Sequence, residues 1–393
     1  MPRARHAHFT RAFGLLVLTV LLVAACAPAS QPSGGAAPAR ATTAPQQASP
    51  AGPPTAAVQA SAPASQASPV ATRPAAPPNE RLKLVYGNPV TPPSMVHLPA
   101  YVANRLGFFE EMGLEVEFKS FEGGVGALRG GISGGLDVVG TSSDPLFAAI
   151  QAGAPVKAIG TYAPKLSVVI TTAPDIRTPA DLKGRKIGIQ EVGGFNEVMA
   201  RLLLQSAGLT ERDVQYVSIA TANRVPALIN GQVDATVLHI DQYYAAIAQK
   251  PDLVNLAQMW EVVPDWWYSA FVSNESVIRD KREALTRFLT AVIKAQRTMY
   301  LDPQAVKPIA VEETRRKPEE VDRAYEDLVR GGVWNVNDGM PRHMIEYTVE
   351  KEVEVGIVRP ENKPTYDQIV ERSLVDEAVR RNGGPWTGDP RWY

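Results

Sequence analysis

From residue 80 to about residue 270, short β-branched apolar runs alternate with amphipathic stretches of 10 to 17 residues, and this alternation admits few folds. The apolar runs are 82–86, 114–121, 136–140, 156–160, 186–190, 214–219 and 235–240. Between them apolar residues recur at three-and-four spacing, as at Val198, Leu202, Leu203 and Leu204. These stretches end at glycines such as Gly208 and Gly231, which suit a helix C-terminus. The expected class is therefore α/β, with parallel sheets covered by helices.

The pattern also repeats. Residues 132–151 overlay residues 229–248 without gaps, so that Gly134 meets Gly231, Asp137 meets Asp234, Asp144 meets Asp241 and Phe147 meets Tyr244. Alanines add to the match, but alanine is common here, and the aspartates, the glycine and the aromatic carry the likeness. Each copy reads as helix end, strand, loop, helix, which predicts two α/β lobes of similar construction facing each other. After Asn274 the pattern turns helical, over 277–300, 318–331, 341–356 and 366–382. The expected path is lobe one over 80–174, lobe two over 175–272, and a helical return over 273–393 that packs mainly on lobe one. Crossovers near 171–178 and 269–275 would form a hinge.

The N-terminal end sets the compartment. Arg3, Arg5 and Arg11 precede an apolar run over 13–25, and Cys26 follows Val23, Ala24 and Ala25. That run is shorter than the roughly 20 residues a membrane-spanning helix needs, and its layout is that of a cleaved bacterial lipoprotein signal over 1–25. Cys26 is the sole cysteine, so no internal disulfide, thiolate metal cluster or catalytic thiol exists elsewhere. Its expected role is lipid acceptance, anchoring the protein on the extracytoplasmic face of the cell membrane. Residues 26–79 are nearly all Ala, Pro, Ser, Gln, Thr and Gly, with no aromatic between Phe13 and Tyr86. Such a segment builds no core; as a flexible coil it reaches about 40 Å and serves as a tether. Loss of the signal removes three arginines and shifts the formal charge from −1 to −4. No basic stripe is left to neutralise phosphates, so nucleic acid is not an expected partner.

A family resemblance covers most of residues 82–383. The stretch from His97 through Leu98, Pro99, Ala100 and Tyr101 to Gly107, Gly113 and Phe118 resembles the opening helix and second strand of the SsuA/THI5-like (NMT1) solute-binding family. Further echoes lie at 135–140, 178–184, 230–234 and 332–339. The resemblance implies a two-lobed periplasmic-binding-protein fold (type II), ligand capture by lobe closure, and delivery to an ABC permease and its ATPase. Ligand classes of that family include sulfonates such as taurine, nitrate, thiamine-precursor pyrimidines and riboflavin. The family is also similar to a yeast-type pyrimidine synthase with a cysteine-rich, iron-associated motif, which has no counterpart here. A binding protein that acts as a monomer, without cofactor or metal and without catalysis, is the expectation.

Other chemistry finds no footing. Gly131, Ser133 and Gly135 match a GxSxG nucleophile pattern, but a nucleophile elbow needs a strand before the serine and a helix after it, and here the order is reversed. No phosphate-cradling, dinucleotide-binding or HExxH motif occurs. Three histidines survive maturation, His97, His239 and His343, without metal-ligand spacing.

In open α/β sheets the loops after strand carboxyl ends line the ligand crevice. The candidate contacts are Asn88 and His97 after the first strand, and Ser142, Ser143 and Asp144 after the third, where Ser143 or Asp144 also suits an N-cap. Next come Gln190, Gly193, Gly194, Phe195 and Asn196, with glycines that let backbone approach a ligand. His239, Asp241 and Tyr243 follow, helical spacing burying one of Tyr243 and Tyr244 and leaving the other freer. Trp266 and Trp267 precede the return crossover; as neighbours on an extended segment they should point to opposite faces, so that one of them faces the cleft. These aromatics favour a planar heterocycle, riboflavin or a thiamine-precursor pyrimidine, over a sulfonate or nitrate, and no arginine stands out in these loops.

Overall fold

The computed structural model describes residues 81–389 and residue 391. The signal 1–25, Cys26 and the tether up to residue 79 lie outside the described residues. Ten strands occur in the order β1 (Leu82–Asn88), β2 (Leu114–Ser120), β3 (Val138–Ser142), β4 (Val156–Gly160), β5 (Val168–Thr172), β6 (Lys186–Ile189), β7 (Gln215–Ser218), β8 (Ala235–His239), β9 (Val254–Gln258) and β10 (Ser269–Asn274). They form two five-stranded sheets, β2-β1-β3-β10-β4 and β7-β6-β8-β5-β9. The helices that matter below are α1 (Gly124–Ile132), α2 (Ser143–Gln151), α3 (Phe195–Ser206), α4 (Arg224–Ile229), α5 (Ile240–Gln249), α6 (Arg282–Leu301), α7 (Pro318–Gly331) and α8 (Arg342–Glu354).

Both sheets are mixed, where parallel sheets were expected. β1 runs parallel to β2 and β3, and β6 parallel to β7 and β8. β10 is antiparallel to β3 and β4, and β5 antiparallel to β8 and β9. The sequence reading passed over β5, β9 and β10 because their surroundings lack the usual signals. β5 and β10 follow crossovers without a full-length helix, and β9 is a half-exposed edge strand with no apolar run. The crossovers move accordingly. Since β5 belongs to the second sheet and β10 to the first, the chain passes over at 161–167 and returns at 259–268, earlier than the expected 171–178 and 269–275.

The internal repeat has a physical counterpart in each lobe. The Asp137 carboxylate accepts from the backbone N–H of Val85 at 2.9 Å, and Asp234 accepts from that of Lys186 at 2.8 Å. Each aspartate thus ties the approach to a central strand to the neighbouring parallel strand. The matched glycines Gly134 and Gly231 both adopt left-handed backbone, φ +81° and +68°, where a side chain would be strained.

The helical return packs mainly on the first sheet. α6 buries Leu285, Phe288, Leu289 and Val292, and the Phe288 ring lies 5.7 Å from Tyr86 of β1 and 5.3 Å from Phe271 of β10. α7 also grips the second lobe. The Tyr244 hydroxyl on α5 donates to Asp327, and Arg323 sits 4.1 Å from the Tyr244 ring centre. No helix among the described residues is long and apolar enough to cross a membrane.

Candidate functional site

The strand ends and both crossovers bring five rings to the junction of the lobes. His97 lies in a one-turn helix after β1, Tyr162 in the first crossover and Tyr268 in the second, while His239 ends β8 and Phe195 opens α3. His97 meets His239 edge to face at 5.3 Å and Tyr162 at 5.1 Å. Phe195 lies 4.7 Å from Tyr268 and parallel to His239 at 6.4 Å. The Tyr268 hydroxyl stands 3.4 Å from Nε2 of both histidines, so it can donate to one imidazole and accept from the other. Across this junction the lobes meet directly. Met95 N–H reaches Asp241 Oδ1 at 3.4 Å, and Glu191 of the second lobe accepts from Val125 N–H of α1 at 2.8 Å.

Burial sets the charge states. The His97 imidazole is pushed down to about 3 and His239 is also held well below its ordinary value, because a buried imidazolium loses its hydration; the Arg224 charge adds to the effect on both. The Asp144 carboxyl is pushed up to about 7 by burial, and Glu352 on α8 is raised by burial and by the facing Asp144. Only serines serve them, Ser142 beside Asp144 and Ser143 beside Glu352, and among the described residues neither carboxyl has a cation within ion-pair distance. At neutral pH the junction thus holds two neutral imidazoles and a carboxyl that burial shifts toward its protonated form.

These shifts fix a pH signature. The unfolded chain binds a proton at His97 below pH 6.5 and the folded chain does not until about 3, so the wild type loses stability from this residue as pH falls through that window. Asp144 and Glu352 act in the opposite sense, but they cancel when wild type and variant are compared. A His97→Asn variant is expected to gain on the wild type by about 1.4 kcal/mol per pH unit between 6.5 and 3, read by urea unfolding at pH 7, 6 and 5. A constant difference across those pH values would mean that His97 titrates normally.

The expected contacts divide into those the junction gathers and those it does not. His97, Asp144, Phe195, His239 and Asp241 converge there. Ser142 and Ser143 lie buried beside Asp144; Ser142 occupies the N-cap position of α2 without a side-chain capping bond, so neither Ser143 nor Asp144 is the cap. Asn196 is buried and donates to the carbonyl of Val237 at 3.3 Å. Asn88 is turned toward its own loop, donating to the carbonyl of Val90, and Gln190 donates to Thr221 at 2.8 Å within its own lobe. Gly193 N–H bonds Glu197 at 2.9 Å, and Gly194 caps α3 against Glu191.

The tryptophans are a correction. Trp266 and Trp267 are both fully buried, with no split between a cleft face and a core face. Their segment, 264–268, is irregular rather than a strand, so the two-residue alternation does not apply. Trp267 stacks on Phe147 at 6.1 Å, its indole N–H donates to the Gly339 carbonyl at 2.9 Å, and its backbone N–H donates to Thr348 at 2.7 Å. Tyr243 is a second correction. It and Tyr244 are both half-buried and line a separate pocket of about 680 Å³ with Trp260, Pro264 and Arg323, between α5, β9 and α7.

Sequence reading missed Tyr162, Glu352 and Arg224. Tyr162 was hidden by placing the crossover too late. Glu352 continues the stripe of Met344, Ile345, Thr348 and Val349 on α8, but its charge made it read as solvent-facing. Arg224 looks like a surface cation at a helix start, yet it is 1% exposed, pushed down to about 10 by burial, and donates through Nη1 to the Val237 carbonyl at 3.0 Å. Its signal was the apolar company of Val225, Ala227 and Leu228, all buried.

Over 212 residues the chain is 29% identical to a Haemophilus influenzae protein with a thiamine-biosynthesis name, covering 52% of this chain and 65% of that one. It is 23% identical to the formylaminopyrimidine-binding protein of Halalkalibacterium halodurans, covering 54% and 64%. The match thus spans just under two thirds of these relatives' lengths. The alkanesulfonate-binding protein SsuA of Xanthomonas axonopodis pv. citri, solved with MOPS bound, superimposes with a TM-score of 0.58 at 18% identity, covering 76% of this chain and 98% of that one, and this shows the periplasmic-binding-protein fold. Residues 94–306 match the family described as NMT1/THI5 like, and the chain belongs to that family.

Proposed function

We propose that this protein is a lipid-anchored, extracytoplasmic solute-binding protein of an ABC importer, which captures a small planar heterocycle between its lobes and hands it to a permease and ATPase. The observation that carries this reading is the set of five rings closing on one another at the lobe junction beside the buried carboxyl of Asp144, which no cation pairs. Rings stack on flat solutes, and a carboxyl held protonated by burial offers one donor and one acceptor side by side. That pair complements the N–C–NH₂ edge of an aminopyrimidine, which favours a thiamine-precursor pyrimidine over riboflavin. The thiamine and formylaminopyrimidine names of the relatives support the same choice. Binding rather than turnover is favoured because Cys26 is the sole thiol and belongs to the proposed anchor.

The purified protein should show a saturable tryptophan-fluorescence change and a smaller radius of gyration by X-ray scattering with 4-amino-5-hydroxymethyl-2-methylpyrimidine. Product formation detected by chromatography would replace binding with catalysis, and no response to this compound or riboflavin would remove the heterocycle. In cells, radiolabelled palmitate should enter the wild type and not a Cys26→Ser variant; equal labelling would refute the anchor.

A further inference from the structure

We infer that the solute carries an anionic group, a carboxylate or sulfonate on its planar ring, and that Arg224 receives it. This deepens the reading of the junction given above and rests on it. Arg224 is a buried cation without a counter-ion of its own: among the described residues no carboxylate approaches its guanidinium within 4.0 Å, and its Nε has no partner. Of the two acids it senses, Glu122 is exposed, and buried Asp241 is already engaged by the Met95 N–H at 3.4 Å and by Arg316 Nε at 3.5 Å. Arg224 and Arg316 both face Asp241, and the two histidines beside them are neutral, so no buried carboxylate is given over to Arg224 alone.

The fold makes little use of that charge. The one hydrogen bond Arg224 makes goes to the Val237 carbonyl, which Asn196 also serves. Val237 lies two residues before His239 on β8, and the Arg224 charge is felt by His97, His239 and Tyr268 alike, which places it against the ring cluster. A buried charge left uncompensated is unfavourable and is retained when a partner completes it. An anionic substituent on a ring held among those aromatics would do so with charge-assisted hydrogen bonds to a planar fork. Asp144 and Arg224, which come from opposite lobes, would then read a polar edge and an acidic substituent of one ring.

The test compares two compounds that share a ring and differ in charge, 4-amino-2-methylpyrimidine-5-carboxylate and 4-amino-5-hydroxymethyl-2-methylpyrimidine, by calorimetric titration of the full chain. The carboxylate is expected to bind at least tenfold tighter, and an Arg224→Met variant to lose that preference while its ligand-free melting temperature holds or rises. A purely structural arginine would instead lower the melting temperature and leave the preference intact. The wild-type comparison does not depend on the variant folding. Equal or tighter binding of the hydroxymethyl compound overturns the inference and leaves the heterocycle reading standing. If neither ring binds, the heterocycle reading fails, and Arg224-dependent binding of taurine would then uphold the anion site alone; taurine binding unaffected by Arg224→Met would remove it.

Discussion

Replacing Trp267 by alanine is expected to lower the unfolding free energy by about 3–5 kcal/mol, measured by urea denaturation of the purified protein. The side chain is fully buried, and the space it leaves is bounded by the Phe147 ring, which loses its stacking partner. The Gly339 carbonyl also loses the indole N–H that bonds it at 2.9 Å. Gly339 has left-handed backbone, φ +63°, with no room for a side chain against Thr161 and Asn335, so that loop cannot easily shift to fill the gap. Trp267→Phe keeps the stack and loses the hydrogen bond, and should cost less than half as much. A loss under 1 kcal/mol for the alanine variant, together with a large loss of solute affinity, would return Trp267 to the ligand-contacting role that its sequence position suggested.

How far the sequence revealed the fold can be followed strand by strand. The parallel strands were readable because a helix must separate them, and the change of period from two to three-and-four marks each boundary, as at β3 into α2 and β8 into α5. The antiparallel insertions β5 and β10 carry no such mark, since nothing in Val168–Thr172 or Ser269–Asn274 says which sheet they complete. Because those two strands follow the crossovers, missing them displaced the hinge and hid Tyr162. The repeat was legible because its aspartates perform the same backbone tie in both lobes, Asp137 to Val85 and Asp234 to Lys186.

The candidate site was legible where a residue followed a strand end, as His97, Asp144, His239 and Asp241 do. It was not legible where long-range packing decides direction. Arg224 and Glu352 are charged residues on helices with apolar faces, and their type alone gives no sign that packing buries them with those faces. The C-terminal grip on the second lobe was equally hidden, since Tyr244 with Asp327 and Arg316 with Asp241 join segments far apart in the chain. These contacts tie the return segment to the second lobe as well as the first.

Asp144 offers the sharpest separation of stability from recognition. Its carboxyl ionises near pH 3.8 in the unfolded chain and near 7 when folded, so the stability attached to it is fully present below 3.8 and is lost as pH rises through 7. An Asp144→Asn variant, which never ionises, should match the wild type near pH 4 and exceed it at pH 8 by roughly 4 kcal/mol. Relief of the facing Glu352 acts in the same direction. The amide also keeps one donor and one acceptor side by side, so this variant should still bind the aminopyrimidine, and without the weakening that the wild type shows above pH 7. Asp144→Ala keeps the stability gain but offers the ring no polar edge, and its affinity should fall on the order of 100-fold. If the asparagine and alanine variants bind equally well, the carboxyl does not touch the solute, and its burial must be explained by the fold alone.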